Sequence, residues 1–173
     1  MDDVIRELDQ QSFTAEFFDL MGEVECGNRF DPSSPAHRQW LTDRIRQRFA
    51  SGARFFAAYL DDDTPVGFTA VQVDPELEGM PYHGQYSEIV ALGVLPAHRR
   101  RGHGSRLLDF STQHARGQGA YCLYLATYAG AQDTIRLYEK NGFVTVATLP
   151  DVHGPKAAGS IYMRKLLRTT LGG

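Results

Sequence analysis

Residues 86–127 read YSEIVALGVLPAHRRRGHGSRLLDFSTQHARGQGAYCLYLAT, and this stretch decides the fold. Residues 86–95 contain a nearly continuous apolar run from Ile89 to Leu95, the pattern of a strand buried on both faces. Residues 102–118 carry helical spacing, and residues 120–127 form a second apolar strand. Strand, helix and strand in that order make a βαβ unit. Its two strands are therefore expected to be parallel and joined by a right-handed crossover.

Toward the N-terminus, residues 53–60 and 65–73 are β-rich runs joined by Asp61-Asp62-Asp63-Thr64, which is hairpin chemistry. Residues 35–50 read as an amphipathic helix with Trp40, Leu41, Ile45 and Phe49 near helical spacing; Ser34 caps it and Pro35 suits its first turn. A shorter helix spans 14–21 with Gly22 as its stop, and 23–34 reads as loop. Residues 4–8 form a weak strand, and 74–84 a Gly- and Pro-rich loop. Toward the C-terminus, a helix over 133–141 ends at Gly142, and strands follow at 143–149 and 160–167. The expected architecture is α/β: a mixed, mostly antiparallel sheet with a central parallel pair from the βαβ unit.

The chain has 173 residues, 42% of them hydrophobic and 23% charged, which fits a single globular domain over 1–173. A net charge of −3 argues against nucleic acid as a partner. No apolar run approaches the roughly 18 residues that a membrane helix needs, and the acidic start Met1-Asp2-Asp3 lacks a secretory pattern. A cytoplasmic location is expected. Cys26 and Cys122 alone build neither a disulfide framework nor a zinc site, so no metal is expected.

The strongest local signal is Arg99-Arg100-Arg101-Gly102-His103-Gly104, between the buried strand and the helix. A helix N-terminus presents unpaired N–H groups and about half a positive charge, and glycines let backbone close on an anion. The spacing fits neither a P-loop nor a Rossmann loop, since Leu107 stands where the third Rossmann glycine belongs. On its own the motif reads either as a phosphate cradle or as a solvated basic face.

Three blocks in order add to it: Glu88-Ile89-Val90-Ala91-Leu92-Gly93-Val94-Leu95-Pro96, Arg99-x-x-Gly102-x-Gly104, and Leu137-Tyr138-Glu139-Lys140-Asn141-Gly142-Phe143. Over about residues 65–149 the chain resembles the GNAT superfamily of acyl-CoA-dependent N-acyltransferases. The resemblance implies a GNAT-type fold with helices on both faces of the sheet. It also implies acetyl-CoA as acyl donor, with Arg99, Arg100, Arg101, Gly102, His103, Gly104 and Ser105 around the pyrophosphate. Leu92, Gly93 and Val94 would pair with the pantetheine arm, and the Leu92 N–H would face the thioester carbonyl. Tyr138 corresponds to a tyrosine beside the sulfur, able to protonate the leaving thiolate, and Glu88 to a general base for the amine. One departure stands out: Ala131 occupies a position where the family often has asparagine, with Gln132 or Asp133 as possible substitutes.

The family's acceptor pocket maps onto loops 23–34 and 74–84, which bring Phe30, Asp31, Tyr82 and His83. Acids and aromatics there suit a cationic amine. The expected activity is transfer of acetyl from acetyl-CoA to a primary amine on a small molecule, by a monomer or homodimer. A protein lysine or N-terminus is the second choice of acceptor, and a non-catalytic acyl-CoA-binding module a further alternative. Arg164, Lys165 and Arg168 read as the end of a strand trailing into solvent, or as a dimer contact.

Overall fold

A computed structural model describes residues 4–73, 86–151, 154 and 158–167. The elements are β1 (Val4–Leu8), α1 (Ala15–Cys26), α2 (Pro35–Ala50), β2 (Arg54–Tyr59), β3 (Pro65–Val73), β4 (Tyr86–Val94), α3 (His103–Gly117), β5 (Cys122–Tyr128), α4 (Gln132–Lys140), β6 (Val144–Leu149) and β7 (Ser160–Leu166). The strands form a seven-stranded mixed sheet in the order β1-β2-β3-β4-β5-β7-β6. The β4–β5 pair is parallel, as the βαβ reading requires, while β1–β2, β2–β3, β5–β7 and β6–β7 are antiparallel.

The chain divides into two compact units, with β4 contributing to both. The first unit comprises Met1–Gln72 and Val90–Leu107. Phe17, Leu20 and Met21 of α1 and Leu41 and Ile45 of α2 bury against Phe55, Ala57, Phe68, Ala70 and Ala91 on one face of its strands. The Phe13 ring meets those of Phe55 and Phe68 edge-on, with centroids 5.2 and 6.1 Å apart. On the other face, Leu107 of α3 packs with Ala58 and Val66. Helices therefore cover both faces in this unit, as expected.

Two readings change. α1 does not stop at Gly22 but runs to Cys26 and ends at Gly27, whose φ is +61°. Gly22 is buried inside the helix because the Phe30 ring lies where a Cβ would stand. It is a packing glycine rather than a stop, and the expected loop accordingly begins with a helical turn. β4 alternates instead of burying both faces: Ser87, Ile89, Ala91 and Gly93 are buried, while Glu88, Val90, Leu92 and Val94 are half-buried. The α2 boundaries hold, with Ser34 Oγ accepting from the His37 N–H. Trp40, however, is 45% exposed, and Leu41 and Ile45 alone carry the buried stripe.

The second unit comprises Val73–Ile89 and Leu108–Gly173. In α3, Leu108, Ser111, Thr112 and Ala115 are buried at helical spacing. Ile135 and Tyr138 of α4 are buried one turn apart, and Phe143 follows the turn at Gly142. β6 closes the sheet order, and all six of its residues are exposed. Its pairing with β7 slips between Thr145 and Ala147, so Val146 bulges out of the ladder.

Gly67 of β3 sits so close to β4 that a Cβ would strike the Gly93 carbonyl oxygen and lie 3.0 Å from Val94 Cα. Neither partner is a flexible side-chain tip. Gly67→Ala is expected to destabilise the protein by about 1–3 kcal/mol, read as a lower urea midpoint at unchanged slope. An unchanged midpoint would show that the two strands can part without cost.

Candidate active site

In the first unit, the segment after β4 is held by backbone geometry before any side chain acts. The Leu95 N–H donates to the Val66 carbonyl at 2.8 Å, and a single 3₁₀ turn spans Pro96–His98. Arg100 and Gly102 then take φ values of +61° and +92°, and α3 starts at His103. A non-glycine residue at positive φ is uncommon, so the turn at Arg100 is held by its surroundings. The space where a Gly102 Cβ would stand is open. Gly102 is required by its φ and leaves the backbone approachable. The first N–H groups of the fifteen-residue α3 have no intrahelical acceptor and point into this turn.

The three arginines divide. Arg99 donates through Nε to the Val94 carbonyl at 2.9 Å and pairs through Nη2 with Glu23 of α1 at 2.6 Å. It ties the end of β4 to α1. Arg100 and Arg101 are exposed, and among the described residues no carboxylate pairs with either. His103 is buried, its ring edge-on to that of His98 at 6.1 Å, while Gly104 and Ser105 are half-buried at the helix start. On β4, the Leu92 side chain packs on the Ala58, Val66 and Leu107 cluster. Gly93 is fixed by α1, since a Cβ there would lie 2.8 Å from Val24 Cγ2 and 3.0 Å from Leu20 Cγ.

In the second unit, Glu88 is half-buried on β4 and pairs in register with Tyr124 of β5. This parallel ladder runs from Tyr86↔Cys122 to Ile89↔Leu125 and ends there, although β4 continues to Val94. Tyr138 is 6% exposed, and its ring centroid lies 5.8 Å from that of Phe143. Burial pushes its phenol up to about 12. Of the two residues considered in place of an asparagine at 131, Gln132 spends its side-chain amide on the Ala129 carbonyl at 3.0 Å, and Asp133 lies 3.6 Å from Arg136.

On the acceptor side, Tyr82 and His83 lie outside the described residues. The Phe30 ring stacks on His37 at 6.2 Å. Asp31 is exposed and accepts from the Ser33 hydroxyl at 2.6 Å and the Ser33 N–H at 2.9 Å, which hold its carboxyl below the usual range. Glu25 is held by Arg44 at 3.2 Å and Arg48 at 3.1 Å. With Glu23 taken by Arg99, the acids of loop 23–34 serve the protein's own donors, and the acids of loop 74–84 lie outside the described residues. A cavity of about 350 Å³ is lined by Glu25, Cys26, Arg29, Phe30, His37 and Trp40.

Arg164 and Lys165 do not trail into solvent but lie within β7 and are half-buried. Lys165 Nζ donates to Thr112 Oγ1 at 3.3 Å, and burial lowers its pKa. Arg168 is outside the described residues. Strand alternation sets Arg164 on the face of the exposed Tyr162 and Leu166, opposite the buried Met163, and its partial burial was not visible in the sequence. No group of three or more metal-ligating side chains occurs among the described residues, and no helix among them is long and apolar enough to cross a membrane.

Comparison with known proteins agrees with this architecture. A Bacillus subtilis acetyltransferase solved in complex with CoA superposes with a TM-score of 0.72 at 18% identity, over 96% of this chain and 100% of that one. An aminoglycoside 6'-acetyltransferase type Ii gives a TM-score of 0.69 at 21% identity, covering 96% and 99%. A nourseothricin acetyltransferase reaches 26% identity with a TM-score of 0.55, covering 67% and 66%. No curated protein sequence matches the chain. The sequence model of the acetyltransferase (GNAT) family matches residues 5–143, across β1 to the turn after α4. The chain therefore belongs to the GNAT acetyltransferase family and is an acetyl-CoA-dependent acyltransferase.

Proposed function

We propose that the enzyme transfers acetyl directly from acetyl-CoA to a primary amine of a small molecule. The state of the two thiols carries the direct route. Cys122 is buried and Cys26 half-buried, and burial raises both pKa values. Neither supplies the thiolate that a covalent acetyl-enzyme needs. In this reading the amine itself attacks the thioester. The nourseothricin acetyltransferase similarity, at 26% identity over 67% of the chain, favours a small-molecule acceptor.

Each residue's part follows from its chemistry. The turn at Arg100 and Gly102, the open backbone there and the start of α3 support pyrophosphate binding by the N–H groups of residues 102–105, with Arg100 and Arg101 adding attraction. The end of the β4–β5 ladder at Ile89 supports pairing of the pantetheine arm with Leu92–Val94. A primary amine has a pKa near 10.4, so freeing it at pH 7 costs about 4–5 kcal/mol. Glu88 takes that proton, directly or through one water, so that the neutral nitrogen attacks; the nitrogen's second proton becomes acidic once the N–C bond has formed and leaves to solvent as the adduct collapses. The Leu92 N–H steadies the oxygen that gains negative charge. Collapse breaks the C–S bond and releases the thiolate.

Tyr138 donates a hydrogen bond to that sulfur. Burial raises the phenol's pKa and keeps it protonated at neutral pH, so its O–H is available to the sulfur. The thiolate takes its final proton from solvent or from the pool that includes the proton Glu88 accepted.

Thiol release from acetyl-CoA is expected with small primary amines and to be at least tenfold slower with lysine-containing or N-terminal peptides; the reverse order would transfer the assignment to protein acetylation. Glu88→Gln is expected to lower kcat by about a hundredfold or more at pH 7, with the KM for acetyl-CoA little changed; a near-wild-type kcat removes Glu88 from the mechanism. The phenol stays protonated below its pKa of about 12. The wild-type rate should therefore show no alkaline decline due to Tyr138 below pH 10, and Tyr138→Phe should lower the whole pH profile without changing its shape. An alkaline limb that disappears in Tyr138→Phe contradicts this.

A further inference from the structure

The second unit places a carboxylate and a guanidinium in one row across three strands. The parallel register sets Glu88 opposite Tyr124, and the antiparallel register sets Tyr124 opposite Arg164. Residues paired across a ladder project from the same face. With strands about 4.8 Å apart, the Glu88 and Arg164 Cα atoms are roughly 10 Å apart, with Tyr124 between them. All three side chains are half-buried. The rows on either side carry Tyr86 and Tyr162 and the next row Tyr128, all exposed, and the Tyr86 ring meets Tyr124 edge-on at 5.7 Å. The face is a tyrosine shelf bearing one acid and one base.

Arg164 differs from the other part-buried arginines. Arg44 and Arg48 share Glu25. Arg164 has a buried Nε with no hydrogen-bond partner, and among the described residues no carboxylate pairs with it. A guanidinium drawn partly out of water without an opposing charge is destabilising unless an anion arrives from outside. Its planar fork matches a carboxylate with two parallel hydrogen bonds.

We infer that Arg164 binds the carboxylate of the acceptor, so that the acceptor is an amino carboxylic acid. Its amine lies toward Glu88 and its carboxylate on Arg164, with the body of the molecule over the Tyr124 ring. This rests on Glu88 as the base for an amine acceptor and adds the second charge that acceptor must carry. Arg164 acts in binding and specificity, and the transfer chemistry stays with the residues described above.

The test is thiol release by wild type, Arg164→Met and Arg164→Lys with a panel of L-amino acids, the matching amino-acid amides, and amines with no acid group. Wild type is expected to prefer an amino acid over its amide by about tenfold to a hundredfold in kcat/KM, the range of a hydrogen bond to a charged group. Arg164→Met should bring that amino acid down to the level of its amide. The amide rate, the KM for acetyl-CoA and the melting temperature should hold, and Arg164→Lys should recover part of the preference. Equal use of acids and amides by wild type overturns the inference. So does an Arg164→Met loss shared equally by both, or a raised KM for acetyl-CoA, which would assign Arg164 to the donor. Acetylation of acid-free amines alone removes the carboxylate while leaving the amine acceptor standing. Thiol release with no amine at all removes both.

Discussion

Four backbone pairs, Tyr86↔Cys122 to Ile89↔Leu125, bear the weight of this site. A parallel ladder cannot be closed by a tight turn; it needs a crossover, which here is α3. Because the crossover leaves from the C-terminal end of β4, the N-terminus of α3 follows that strand end after a single 3₁₀ turn and the bend at Arg100 and Gly102. The turn at Arg100 and Gly102 is thus a product of the crossover that parallel pairing requires. The same ladder sets Glu88 beside Tyr124 and, through β5 and β7, in line with Arg164.

Charge in the first unit is largely absorbed by structure. Glu23 and Glu25 pair with arginines, and Asp31 closes its own turn with Ser33. The exposed Glu23–Arg99 pair contributes little to stability by itself. Its effect is positional, because the Arg99 guanidinium also holds the Val94 carbonyl and so joins α1 to the end of β4. Glu25 is the more buried partner, and losing it would leave Arg44 and Arg48 partly desolvated without an anion.

Much of the fold was legible because periodicity and caps agreed. Ser34 and Pro35 announce α2, Gly142 ends the helical turn after α4, and the apolar runs around α3 mark the parallel strands. Gly22 was misread because a glycine looks the same in a sequence whether it ends a helix or admits a ring such as that of Phe30. The double burial expected of β4 failed because an apolar run does not reveal which face is left half-covered. For the site, the motif residues Gly102, Glu88 and Tyr138 were visible as types at a spacing. The engagement of Arg99, the raised Tyr138 phenol and the unpartnered Nε of the half-buried Arg164 were not, since each depends on strand register or burial between residues far apart in sequence.

The slip in β6 has a consequence for life at high concentration. β6 ends the sheet order and exposes Val144, Val146 and Leu149, at 57%, 45% and 44%. An unbroken apolar edge of six residues would offer a row of free N–H and C=O groups to any passing strand. The displacement of Val146 divides that row into two pieces, each only two or three residues long, with the edge turned by the added twist. A second chain finds no continuous template there, so the border of the sheet resists fibril-like stacking without recourse to charge.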